Sequence, residues 1–364
     1  MLKRKLQKRL QKNLRRKKQQ KKLRENKKVF FVKIAFFETD KKEQAYIAEK
    51  LKSRSVQFFP GEITPSSLKK IQGVEAIGVF IYSKVNKKVL DALPKLKLVA
   101  TMSTGFDHID VAECKKRNII VCNVPSYGEN TVAEHTFALL LAISRKIHLS
   151  YERTQKADFS AVGLEGFDLK GKTIGVVGCG HIGEHVVRIA RGFEMNVLVH
   201  EKHPDKKQAK KLGYKISSLD NIYKNSDILT FHLPLLPSTK HIFNKDSLKK
   251  IKKGCVIINT SRGEIIDTEA LIYGLSKGII GGAGLDVLEG ECYIKEEKQV
   301  LHKNFPKECD LQTILRNHVL LKQPNVLITP HNAFNSHEAL NRISDTTVKT
   351  ILFFEKGKKI NKIN

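Results

Sequence analysis

The stretch GVVGCGHIG, Gly175 to Gly183, constrains this chain more than any other. Gly178, Gly180 and Gly183 fall in the spacing G-x-G-x-x-G. Thr173 to Val177 reads as an apolar strand, and HIGEHVVRIARGF has the spacing of an amphipathic helix opening at His181. At such a junction Gly178 permits the tight turn, Gly180 lets a ligand approach the backbone, and Gly183 lets helix and strand pack closely. The free N–H groups and the dipole at the helix start attract a pyrophosphate. A second strand, NVLVHE, ends in Glu201, 18 residues beyond Gly183. An acid there accepts both ribose hydroxyls of an adenosine and repels a 2′-phosphate, so NAD is expected over NADP. Lys202, His203, Lys206 and Lys207 follow closely and soften that preference.

The glycine turn lies inside two series of alternating strands and helices. The first opens with the apolar run Val29 to Phe37 and continues through the strands VQFFP, AIGVFIYS, LKLVATMSTG and IIVCNVP. The segment ENTVAEHTFALLLAISRKIHLSYERTQ is then predicted as one long helix, capped near Asn130 or Thr131 with Glu134 in its first turn. A polar passage, Lys156 to Lys172, leads to the second series: KTIGVVGCG, NVLVHE, ILTFHLPL, CVIINTS, GGAGLDVL and NVLITP. A last helix, SHEALNRISDTTVKTILFFEKGK, closes the chain. Such alternation predicts an α/β protein whose parallel sheets carry helices on their faces. A length of 364 residues suits two domains.

Composition narrows the class. No apolar run approaches the ~20 residues of a membrane span, and the N-terminus lacks the apolar core of a secretory signal. The six cysteines, at 114, 122, 179, 255, 292 and 309, form no C-x-x-C pair, so neither a zinc ribbon nor a redox dithiol is expected, and no metal site. They read as reduced thiols, which places the chain in the cytoplasm. The formal charge is +29, and residues 1–28 hold 15 Lys and Arg against one acid, Glu25. Half the excess charge therefore sits in a low-complexity tail, expected to be solvated and disordered alone. The tail offers weak polyanion binding through phosphate contacts.

Seven motifs in order, STGFDHID, NVPSYGENTVAEH, GVVGCGHIG, FHLPLLPSTKHIF, INTSRGEIID, AGLDVLEGE and ITPHNAF, give the body of the chain a strong resemblance. It resembles the D-isomer-specific 2-hydroxyacid dehydrogenases, and among them the D-lactate dehydrogenase branch, over about residues 29–355. The resemblance implies two Rossmann-like parallel-sheet domains. A nucleotide-binding domain, 129–330, would be inserted into a substrate domain built from 29–128 and 331–364. It also implies NAD-dependent reduction of a small 2-keto acid to the D-2-hydroxy acid, pyruvate and D-lactate first, in a homodimer. The family also contains an NAD-binding corepressor, which keeps a non-enzymatic or nucleic-acid-associated role as the alternative.

The chemistry asks for a hydride donor, a proton donor and a cation. His331 in TPHNAF matches the acid, since an imidazole with a pKa of about 6.5 exchanges protons at neutral pH. Glu291 matches its acidic partner, five residues after Asp286 and so preferred to Glu289. Arg262 in NTSRG matches the planar fork that grips carboxylate and carbonyl. For the cofactor, the resemblance assigns the helix-opening amides of His181 and Ile182 to the pyrophosphate. Leu233, Pro234 and Thr239 would border the adenosine and ribose, Thr260 and Ser261 would lie beneath the nicotinamide, and Asp286 would hold its carboxamide. For the substrate it assigns the amides of Thr104 and Gly105 and the hydroxyl of Tyr127 to the carboxylate, and Phe334 to the side-chain pocket. Forty residues separate Glu291 from His331, more than the family pattern leads one to expect.

Overall fold

The computed structural model describes residues 32–290, 311–358 and 360–364. The basic tail, with its expected polyanion binding, and Glu291 therefore lie outside the described residues. So do Cys292 and Cys309.

The described chain forms two compact units, one of residues 32–127 with 341–364 and one of residues 128–340. The first holds a five-stranded parallel sheet of β1 (Ile34–Phe37), β2 (Val56–Phe59), β3 (Ala76–Val79), β4 (Leu98–Thr101) and β5 (Ile120–Cys122), in the order β2-β1-β3-β4-β5. β1, β3 and β4 are buried on both faces, which is why they read as unbroken apolar runs rather than alternating ones. The chain end returns to this unit. Arg54 holds the buried Glu355 carboxylate through Nε and Nη2, and Ile363 N–H donates to Val121 C=O at 2.9 Å beside the sheet's last strand.

The second unit holds seven parallel strands: β6 (Thr173–Val177), β7 (Asn196–His200), β8 (Lys215–Ile216), β9 (Ile228–Phe231), β10 (Cys255–Asn259), β11 (Ile280–Leu285) and β12 (Val326–Ile328). Their order is β12-β11-β10-β9-β6-β7-β8. The direction of winding reverses between β6 and β9, and in such sheets the crevice beyond the strand ends at that point is where a dinucleotide binds. The two-residue β8 is too short to leave a pattern and was not expected. The unit includes residues 331–340, which the expected boundary assigned to the other domain. They stay here because the turn after β12 is bonded to the end of β11, as described below.

The single helix expected from Glu129 is two, Glu129–Ser144 and Ile147–Gln155. Phe167 N–H takes the Ser144 carbonyl at 2.9 Å, which removes an acceptor that helix continuation needs, and Lys146 turns left-handed with φ +50°. A Cβ on Gly166 would stand 2.1 Å from that same carbonyl oxygen, so only glycine lets the returning strand of chain come this close. The cap is Gly128 without a side-chain bond, not Asn130 or Thr131, and Glu129 rather than Glu134 is the acid of the first turn. Among the described residues no helix is long and apolar enough to cross a membrane.

Candidate functional site

The glycine turn leaves β6 at Gly178, whose φ of +93° only glycine adopts readily. A Cβ there would also stand 2.5 Å from the His232 carbonyl oxygen. At Gly183 a Cβ would meet the Gly178 carbonyl oxygen at 2.4 Å, so the helix His181–Gly192 rests directly on the turn. Gly180 differs. Its φ is −72°, and a Cβ built on it meets no atom within 4 Å. Neither conformation nor packing requires glycine at 180, and the open space there leaves the backbone accessible to a ligand. The same residue caps the helix without a side-chain bond, and the first-turn amides of His181 and Ile182 have no acceptor within the helix. Glu201, at the end of β7, turns back onto the loop: its Oε2 accepts the Cys179 N–H and its Oε1 the Lys202 N–H, both at 2.8 Å. Each oxygen keeps a lone pair for a further hydroxyl. This donor and acceptor set fits a dinucleotide with a free ribose.

Across the switch point, β9 is followed by His232, Leu233 and Pro234. His232 Nε2 lies 2.8 Å from Thr230 Oγ1, and burial pushes its pKa down to about 3, so the ring is neutral. Its Nδ1 is buried with no partner among the described residues, an orphan polar atom next to the glycine turn. Leu233 is half-buried against the core, and Pro234 is exposed. Thr239 acts within its own loop, donating to Pro234 C=O at 2.6 Å and accepting Leu236 N–H at 2.8 Å.

Beyond β10 the chain forms the turn that carries Arg262. Buried Asn259 clasps both sides of it: Oδ1 accepts from Ser261 N–H and Ser261 Oγ, and Nδ2 donates to Arg262 C=O at 2.8 Å. Thr260 is buried, its hydroxyl 3.0 Å from that of Thr136. Gly263 then packs on the backbone after β11, where a Cβ would stand 2.1 Å from the Leu288 carbonyl. The Arg262 turn and the segment leading to Glu291 are thus held together by a missing side chain. Glu289, the alternative acid, is already engaged, with Oε1 2.8 Å from His241 Nε2 and Oε2 accepting the Thr268 hydroxyl at 2.9 Å. From the long segment before His331, the helix Leu311–Leu321 is described; its buried Asn317 donates to Glu289 C=O at 2.8 Å.

His331 follows β12 in a turn anchored on Asp286. Its own N–H donates to the carbonyls of Asp286 and Thr329, both at 2.9 Å. The Asp286 carboxylate, 1% exposed, accepts Asn332 N–H on Oδ1 at 3.0 Å and Ala333 N–H on Oδ2 at 2.9 Å. The resemblance expects this carboxylate to hold a nicotinamide carboxamide; it also anchors the turn that bears His331. Half-buried Phe334 follows in the same turn. Arg262 and His331 therefore project from the ends of β10 and β12, on either side of β11 in one sheet.

In the first unit, Thr104 and Gly105 follow the end of β4. Ser103 Oγ donates to Gly105 C=O at 2.6 Å, Thr104 Oγ1 to Val124 C=O at 2.9 Å, and Asn123 Nδ2 to Thr104 C=O at 2.9 Å. Every one of these bonds fixes a side chain or a carbonyl of the loop. The amides of Thr104 and Gly105 donate to none of the described residues. Tyr127 is half-buried, and its carbonyl accepts from Arg342 Nε at 2.6 Å.

Sequence reasoning missed Asn259, Gly263 and His232. For Gly263 a signal existed, a glycine directly after the arginine of NTSRG. The others act through side-chain bonds to residues two or three positions away, which leave no periodic signal.

Comparison with known proteins agrees with this geometry. Residues 137–333 match the family model described as the D-isomer specific 2-hydroxyacid dehydrogenase NAD binding domain. A 2-hydroxyacid dehydrogenase homolog of Haemophilus influenzae is 36% identical over 90% of this chain and 97% of its own length. The D-lactate dehydrogenase of Escherichia coli is 34% identical, covering 90% of this chain and 98% of its own. The crystal structure of D-lactate dehydrogenase from Aquifex aeolicus, complexed with NAD and lactic acid, superposes with a TM-score of 0.79 at 33% identity, over 89% of this chain and 96% of that one. The chain belongs to the D-isomer-specific 2-hydroxyacid dehydrogenases and is an NAD-dependent oxidoreductase of that family.

Proposed function

We propose that this enzyme reduces pyruvate, or a close homologue, to the D-2-hydroxy acid and catalyses the reverse oxidation. The observation that carries the reading is the placement of Arg262 and His331 beyond β10 and β12, in the sheet whose β6 end bears the glycine turn. D-Lactate dehydrogenase activity in relatives spanning nearly the whole chain supports pyruvate as the first choice.

The glycine turn and the amides of His181 and Ile182 hold the pyrophosphate, and Glu201 takes the adenosine ribose. Leu233, Pro234 and the Thr239 loop border the adenosine side. Thr260 and Ser261 support the nicotinamide side. When bound, the dinucleotide supplies a hydride to the carbonyl carbon. Arg262 grips the substrate carboxylate and carbonyl oxygen with its planar fork, which stabilises the charge that grows there. His331, protonated, gives its proton to that oxygen, so that the keto acid gains one hydride and one proton. Glu291, which lies outside the described residues, is the acid expected to partner His331. The amides of Thr104 and Gly105 and the Tyr127 hydroxyl take the carboxylate, and Phe334 borders the side-chain pocket.

A homodimer belongs to this reading. Ile147 and Tyr151, one turn apart, are exposed, as are Phe159 (82%) and Val162 (79%) in the loop that follows. Arg153 ties loop to helix by donating to the Ser160 and Val162 carbonyls at 2.8 Å, which keeps these exposed apolar side chains on one stretch of the surface. The buried free thiols of Cys114, Cys122, Cys179 and Cys255 suit a reducing cytoplasm. Residues 1–28 add a weak, salt-sensitive affinity for polyanions.

The test is a panel of 2-keto acids with NADH and NADPH, run with and without residues 1–28. Pyruvate with NADH is expected to be turned over by both proteins. A protein that reduces glyoxylate or a branched keto acid far better than pyruvate overturns the substrate assignment, and one that reduces none overturns the reading.

A further inference from the structure

The histidine that closes the motif NVPSYGENTVAEH, His135, has no part in the chemistry described so far. Its surroundings give it one. His331 has φ +52°, a left-handed conformation that costs a residue with a Cβ about 1 kcal/mol or more. Such a residue stays in place only when its neighbours over-determine it. Asp286 supplies the neighbouring bonds, and Asp286 is in turn held by a second chain of bonds that reaches His135.

Thr329 Oγ1 lies 2.5 Å from Asp286 Oδ1 and donates to it. An ionised carboxylate only accepts, so the hydroxyl proton is spent there. His135 Nε2 stands 3.0 Å from the same hydroxyl oxygen, and the remaining role for that oxygen is acceptor. The proton of the His135 ring is thereby assigned to Nε2. The same nitrogen is 3.5 Å from Asp286 Oδ1. One line of bonds thus runs from His135 to Thr329 to Asp286 and ends on the amides of Asn332 and Ala333, next to His331.

We propose that His135 is a positioning residue for the reduction: through Thr329 and Asp286 it fixes the turn that presents His331. Its own anchor is firm. It projects from the helix Glu129–Ser144, which buries Ala133, Thr136, Phe137 and Leu140 and packs against β10, β11 and β12. A catalytic group is best held by rigid elements, because small misplacements cost large factors in rate. The role rests on the keto-acid reduction proposed above.

The experiment compares wild type with Thr329→Val, Thr329→Ser, His135→Leu and His135→Gln. It measures kcat and KM for pyruvate, NADH Kd by fluorescence, and Tm, with each assay run well below the variant's Tm. Thr329→Val and His135→Leu are expected to lower kcat by about tenfold while NADH Kd stays within about twofold. Thr329→Ser and His135→Gln, which keep the hydroxyl and a side-chain N–H donor, are expected to retain about half of kcat or more. A merely structural role would lower Tm and leave kcat of the folded protein alone. Unchanged kcat in the Val and Leu variants overturns the proposal. So does a loss confined to NADH affinity, or an equal loss in the Ser and Gln variants. A wild-type protein that reduces no 2-keto acid overturns both this role and the reading beneath it.

Discussion

Two turns at the strand ends of the seven-stranded sheet, one after β6 and one after β12, bear residues of the proposed site, and they are held in different ways. The first is made by what is missing: Gly178 and Gly183 leave out side chains that would collide with the His232 and Gly178 carbonyls. Its determinants lie within six residues of sequence, Gly178 to Gly183. The second is made by what is present: the hydroxyl of Thr329, two residues before His331, joined to a buried carboxylate and an imidazole from far along the chain. The Asp286–Thr329 bond spans 43 residues and the His135–Thr329 bond spans 194. Steric omission gives a turn that a ligand can press against. Directed hydrogen bonds give one that aims a single ring.

The largest test of this contrast falls on the cation beside the second turn. Arg262→Gln is expected to lower kcat/KM for pyruvate by ~10³-fold, about 4 kcal/mol, because a neutral amide cannot make the forked, charged contact. NADH affinity should stay within about threefold; an equal loss there would place Arg262 in cofactor binding.

Next come the glycines, which should separate. Gly183→Ala drives a methyl into the Gly178 carbonyl, and a loss of about 3 kcal/mol in denaturant unfolding is expected. Gly180→Ala meets no protein atom, so stability should hold while NADH binding weakens. Equal Tm losses in the two variants would break the assignment of Gly180 to the ligand.

The same contrast explains how far the chain was legible. The glycine turn and the doubly buried strands were readable because spacing and local apolarity encode them, whereas Arg262 and His331 were named only through the resemblance of their motifs to a family. The break at Lys146 was not, since it depends on Phe167 capturing the Ser144 carbonyl from 23 residues away. Nor was the work of Asp286 visible. Its position at a strand end was plain, but its three donors come from the turn after β12. The bonds by which the Thr239 hydroxyl closes its own loop were not visible either, because side-chain bonds of that kind leave no periodic signal.

Glu201→Ala sharpens the first turn's account at a smaller scale. Removing the carboxylate takes away ribose acceptors and a negative charge, so the preference for NADH over NADPH should narrow by about tenfold. A wild-type protein that already prefers NADPH would contradict the role given to Glu201.

The smallest effect concerns His232, beside the glycine turn. Burial lowers its pKa to about 3 in the folded protein. The unfolded chain takes up a proton near pH ~6.5, so the stability linked to the neutral ring is present above that pH and drains away as pH falls toward 3. Between pH 7 and 5.5 the loss from this group is about 1 kcal/mol. His232→Asn should flatten that part of the stability profile, and an unchanged slope would show that the ring charges freely in the fold.

The most direct test of the central claim, that His331 protonates a 2-keto acid while the glycine turn holds the dinucleotide, is a paired measurement on His331→Gln. NADH oxidation by pyruvate and NADH binding are followed in the same preparation. Turnover is expected to fall by ~10²-fold or more with NADH Kd unchanged. A variant that keeps more than about one-fifth of wild-type turnover would contradict the account, because a lost general acid leaves less than that.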